Sequence, residues 1–132
     1  MRSRLVKIFP IVLMLTVAVS CTAYRTSIIS EDGIYYYQRV RLGEIPQSVM
    51  IKGSGISNPV MLFLHGGPGF PIFSVDQASM VMNEMEEHFT MVYWEQRGTG
   101  GSFNWRLTRD SMTIDDFVED TRELVEMLRE MF

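Results

Sequence analysis

Ile34-Tyr35-Tyr36-Tyr37-Gln38-Arg39-Val40-Arg41-Leu42 alternates in part and is dense in aromatic and β-branched side chains, which predicts a strand. Gly43 to Pro46 reads as a turn and Gln47 to Lys52 as a second strand closed by Gly53-Ser54-Gly55, so the pair predicts a hairpin. Pro59-Val60-Met61-Leu62-Phe63-Leu64 does not alternate, and such a run predicts a strand buried on both faces of a parallel sheet. From Val75 to His88 the residues Ala78, Val81, Met82, Met85 and then Phe89 recur at spacings of three and four, as on one face of a helix. Thr90 to Glu95 is another short apolar strand. Thr113 followed by Ile114-Asp115-Asp116 is a capped helix start with acids where the helix dipole favours them. Ile114, Phe117, Val118, Leu124, Val125, Leu128 and Phe132 form its apolar stripe, leaving the acids, Arg122 and Arg129 to a solvated face. Strand, loop, helix, strand, loop, helix is an α/β pattern, which predicts parallel strands joined by crossover helices.

The first twenty residues read differently. Arg2, Arg4 and Lys7 precede an apolar run from Ile8 to Val19, and then come Ser20 and Cys21, the layout of a secretory signal. As a helix, Ile8 to Ala23 would extend about 24 Å, short of a hydrocarbon core of roughly 30 Å, so a cleaved signal over residues 1–20 is the expectation. Ala18-Val19-Ser20-Cys21, with Ala18 where Leu is usual, resembles a bacterial lipobox, which implies export and acyl chains on Cys21 that hold the protein to a membrane; a conventional secretory signal and an uncleaved amphiphilic anchor are the alternatives. Residues 21–33 would then be a tether, and residues 34–132 the folded domain.

Composition narrows the chemistry. With Arg2, Arg4 and Lys7 set aside, nine basic side chains face sixteen acidic ones, and no run of Lys or Arg follows. That balance argues against nucleic acid as a partner. The single cysteine excludes a disulfide framework, a CxxC pair and a multi-thiolate zinc site. No metal or other cofactor is implied. The eleven methionines read as adaptable core filler.

Both apolar strands run into glycine-rich loops, and in an open parallel sheet the carboxyl ends of strands form the ligand-binding edge. Small residues in His65-Gly66-Gly67-Pro68-Gly69 leave backbone N–H groups unobstructed, able to stabilise an oxyanion or to hold a phosphate. The phosphate alternative lacks its signature: GxxxxGK[ST] is absent, and Ile72 and Phe103 stand where GxGxxG needs its last glycine. Leu64-His65-Gly66-Gly67-Pro68-Gly69, followed by Trp94-Glu95-Gln96-Arg97-Gly98-Thr99-Gly100-Gly101-Ser102, resembles the α/β-hydrolase superfamily in its proline iminopeptidase-like branch, which writes these elements HGGPG and DQRGxGxS. Glu95 departs from the usual Asp, and Gly101 stands where a basic residue is common.

The resemblance implies the N-terminal part of an α/β-hydrolase sheet, with an initial hairpin and then parallel strands with crossover helices. It implies that Gly67, with Gly66 beside it, supplies half of an oxyanion hole, and that His65 is structural rather than the catalytic base. Arg97 and Ser102 are expected to order their own loop, and His88 to lie on the surface. The nucleophile elbow G-x-S-x-G does not occur in the sequence, and the family's triad lies beyond the helix ending at Phe132. The expectation is therefore a chain truncated before the nucleophile strand, lacking nucleophile, acid and base and inactive as written. Its Pro59–Leu64 strand would be an open edge, with Leu124, Val125 and Leu128 partly wet. The parent would cleave esters or peptide bonds of a small-molecule or peptide substrate. A short non-catalytic lipoprotein acting as a binding module, and a cytoplasmic hydrolase with a mis-assigned start, are the alternatives.

Overall fold

The computed structural model describes residues 26–30, 33–66, 69–73 and 80–132. The signal segment, Cys21, Gly67 and the first residues of the helix expected from Val75 lie outside the described residues. Five strands form one mixed sheet in the order β1-β2-β3-β5-β4, from β1 (Thr26–Ser30), β2 (Gly33–Leu42), β3 (Ile45–Gly53), β4 (Val60–Leu64) and β5 (Thr90–Glu95). Only β4 and β5 pair in parallel; the other neighbours are antiparallel. Among the described residues two α-helices flank the sheet, α1 (Met80–His88) and α2 (Ile114–Met131).

The β2–β3 hairpin turns on Gly43 and Glu44 alone, with φ of 51° and 63°. Positive φ at both central residues is the type I′ geometry whose twist matches that of the flanking strands. The turn expected over Gly43 to Pro46 is thus shorter, because Ile45 and Pro46 already belong to β3. Pro46 is tolerated because the Arg41–Pro46 pair follows the closing Leu42–Ile45 pair, so its missing N–H faces away from β2, and β5 joins only from Ser48.

Part of the expected tether is also strand. Residues 26–30 pair with β2 from Thr26↔Tyr37 to Ser30↔Gly33 and satisfy backbone groups that β2 would otherwise leave open.

Alternation along β5 feeds two cores. Val92 and Trp94 join Ile34, Tyr36, Val49, Ile51, Leu124 and Leu128 on the α2 face. Met91 and Tyr93 join Met50 and Ile72 on the other face, with Met82, Met85 and Phe89 of the α1 region packed against them. Every residue of β5 is buried, as a strand paired on both sides and covered on both faces must be.

Two expectations are corrected here. β4 is not buried on both faces, since Val60 and Leu64 are exposed, whereas its place at the sheet's edge among the described residues is the one expected of it. The stripe on α2 is narrower than its sequence suggests, since Ile114 and Val118 are exposed; of the three residues expected to be partly wet, Leu124 and Leu128 are buried and only Val125 is half-buried.

Candidate functional site

β4 and β5 are adjacent and parallel, so their carboxyl ends deliver the two glycine-rich loops to one edge of the sheet. A cleft of about 510 Å³ opens between them, lined by His65, Gly69, Gln96, Arg97, Gly98, Thr99, Met112 and Phe117. His65 ties the loops together. Its Nε2 accepts the Gln96 N–H at 3.3 Å, and its Nδ1 lies 3.0 Å from the Gly66 carbonyl oxygen. An acceptor at Nε2 requires the proton on Nδ1, so these contacts select the neutral Nδ1–H tautomer, which donates to Gly66. Both ring nitrogens are thereby engaged with backbone. Gly66 is exposed, with open space where a Cβ would stand.

The second loop is stapled from within. Gly98 N donates to Ser102 O, Thr99 N to Gln96 O, Ser102 N to Thr99 O and Phe103 N to Gly100 O. Gly101 N donates to the Glu95 carboxylate at 2.5 Å, so the longer acid in place of Asp still holds the loop. With these N–H groups committed, the loop is a scaffold and not an anion cradle. Ser102 does more than order its own loop. Its hydroxyl accepts the Ser48 N–H at 2.7 Å and donates to the Glu95 carbonyl oxygen, bridging two residues paired across β3 and β5. Ser102→Ala is expected to cost about 1–3 kcal/mol, because two buried backbone groups lose their partner. Urea unfolding followed by circular dichroism checks this, and an unchanged midpoint would refute the bridge.

Arg97 borders the cleft, but its guanidinium is committed elsewhere. Its Nε and Nη2 donate to the two carboxylate oxygens of Asp120, each at 2.6 Å, and its Nη1 donates to Ser111 O at 2.7 Å. Asp116 adds a contact at 3.1 Å. Arg97 is 3% exposed and Asp120 0%, so the pair is a buried fork that pins α2 to the β5 loop. The hydrogen bond and charge of Asp120, and to a smaller degree Asp116, raise the Arg97 pKa against the opposing effect of burial.

Gln47 extends the network. Its Nε2 donates to Asp120 Oδ2 and to Leu42 O, and its Oε1 accepts from Trp94 Nε1 at 3.0 Å. The expectation that the α2 acids lie on a solvated face is corrected for Asp120. Its signal was in the sequence: an acid among Phe117, Leu124 and Leu128 at helical spacing interrupts the buried stripe and requires a cation. Gln47 and Ser48 carried no comparable signal. His88 is exposed in the last turn of α1, as expected.

At the start of α2 the Thr113 hydroxyl and N–H donate to Asp116 Oδ2, while Asp116 N donates back to the Thr113 hydroxyl. These bonds, with Arg97 assisting, hold the Asp116 carboxyl below its ordinary value. A lowered folded-state value stabilises fully above the unfolded-state pKa and is lost as pH falls through the folded one. Asp116→Asn should therefore lower the urea midpoint by a constant amount from pH 7 to about pH 5, and the difference should shrink only in more acidic solution. A difference independent of pH down to acid unfolding would contradict it.

Fold and site define a mixed α/β sheet carrying two linked glycine-rich loops at the carboxyl ends of adjacent parallel strands. No family model matches the chain, and no solved structure matches it. Among curated proteins the chain is similar to the probable aminopeptidase YbaC of Bacillus subtilis (strain 168), at 38% identity over 98 residues. Those residues are 74% of this chain and 30% of that protein, so the chain spans under a third of the length of the curated relative it matches.

Proposed function

We propose that the chain is the N-terminal portion of an exported, membrane-tethered serine hydrolase of the α/β-hydrolase type, proline iminopeptidase-like, acting on an ester or on the peptide bond beside an N-terminal residue. The observation that carries this reading is the His65 link between the two glycine loops at the parallel edge, in a chain similar to a probable aminopeptidase. In this reading the Gly67 N–H, with Gly66 beside it, forms half of an oxyanion hole. A serine attacks the substrate carbonyl carbon, the oxygen takes up negative charge that the N–H stabilises, the amine or alcohol leaves with a proton, and water releases the acyl group. The histidine that moves those protons is not His65, whose ring nitrogens are held by Gly66 and Gln96. In this reading the nucleophile, acid and base belong to a part of the protein other than the described residues. Acyl chains on Cys21 would hold the enzyme to the membrane.

The test is to read the gene beyond the Phe132 codon in all frames, and to assay the full product and the 132-residue chain on aminoacyl-nitroanilides and nitrophenyl esters. The expected result is a strand followed by G-x-S-x-G, turnover by the full product blocked by a fluorophosphonate, and none by the short chain. A stop with no such motif in any frame would instead leave a short lipoprotein that binds without catalysing. Mass spectrometry of the mature N-terminus tests the anchor, with a diacylglyceryl mass on Cys21 expected.

A further inference from the structure

The segment joining β5 to α2 carries large apolar side chains into solvent: Phe103 is 67% and Trp105 78% exposed. The Arg106 guanidinium lies 5.1 Å from the centroid of the Trp105 ring, and Arg109 follows three residues later. Among the described residues neither arginine has a carboxylate partner, although the chain is acidic overall. An amphipathic aromatic ring beside unpaired guanidinium groups matches the headgroup layer of an anionic bilayer, where the ring sits at the apolar boundary and the cations meet phosphate.

Strand register brings the start of the fold to the same edge. Thr26 pairs with Tyr37, Tyr37 with Met50 and Met50 with Tyr93, so the first residue of β1 is level with a residue near the end of β5. Three strand spacings, about 14 Å, separate them across the sheet. The chain thus enters β1 at the edge from which the Phe103–Arg109 segment leaves β5. Cys21 precedes Thr26 by five residues, a covalent reach of at most about 17 Å. We propose that Phe103, Trp105, Arg106 and Arg109 form a docking surface for the headgroup layer of an anionic phospholipid bilayer. Only the nearness of the surface to a membrane rests on the reading of Cys21 as an acyl anchor.

The probe is Trp105 itself, since the other tryptophan, Trp94, is fully buried. The chain from residue 21 to 132 carrying Cys21→Ser, which lacks the basic and apolar signal segment and cannot be acylated, is mixed with phosphatidylcholine vesicles with and without phosphatidylglycerol, unlabelled or with brominated acyl chains. Trp105 emission is expected to shift to the blue and to be quenched by brominated lipid only when phosphatidylglycerol is present. Arg106→Gln with Arg109→Gln, and separately Phe103→Ser, should lose the quenching while circular dichroism is unchanged, because all three sites are exposed. Trp105 emission that does not respond, whether or not the chain floats with the vesicles, overturns the proposal and assigns the patch to a covering protein surface. Equal quenching on pure phosphatidylcholine overturns it as well. The lipid mass on Cys21 of the native chain is scored separately, so failure of the anchor and failure of the docking surface are distinct results.

Discussion

Asp120→Ala is expected to lower the unfolding free energy by about 3–5 kcal/mol, a large share of the 5–15 kcal/mol typical of a domain. Removing the carboxylate leaves the Arg97 guanidinium buried with only Ser111 O and the half-exposed Asp116 to meet it, and strands one donor of Gln47. The cost is that of an uncompensated buried charge and not of one lost contact. Replacing both partners, Arg97→Met with Asp120→Leu, should recover much of the loss, because two apolar side chains of similar size need no pairing. Urea midpoints of the two single variants and the double variant check both statements. A loss below 1 kcal/mol for Asp120→Ala would mean that the pair is solvated, contrary to its burial.

Gly43→Ala is expected to cost about 2–4 kcal/mol, although the residue sits in a surface turn. Its φ of +51° disfavours any side chain, and a Cβ there would fall well inside contact distance of Asp120 Oδ1 and Arg97 Nη2. Those atoms belong to a two-point fork and cannot swing aside singly. Gly43→Asn separates the two causes: asparagine tolerates the left-handed region, so its cost should stay close to that of alanine if the clash dominates. A cost near zero for Asn would make backbone strain the whole effect. Thermal melts of both variants, followed at the buried Trp94, give the answer.

These two sites show where sequence reading stops. The hairpin, the strand Thr90–Glu95 and the helix starting at Ile114 after a Thr113 cap were all legible, because each is specified by residues a few positions apart. So were the two glycine loops and the strands that lead into them. The β1 strand was missed because its pairing groups are backbone, and any extended segment offers them; only the open side of β2 selects residues 26–30. The edge position of β4 was legible only through the family resemblance, since an apolar run states that a strand can be buried and not how many neighbours it has.

At the site, the residues legible in the sequence are those that a local motif displays. Arg97 and Ser102 were expected to order their loop, yet each reaches further, Arg97 to Asp120 and Ser102 into the ladder between Ser48 and Glu95. Periodicity, capping and turn chemistry are short-range, and by themselves they determined which elements this chain forms and that its glycines lie after apolar strands. Tertiary structure alone decided that His65 joins the two loops, that Arg97 faces inward, and that Gln47, Trp94 and Asp120 close one buried network. Those partners are tens of residues apart, and a buried charge or amide finds its partner only once the sheet and α2 have excluded the water that would otherwise satisfy it.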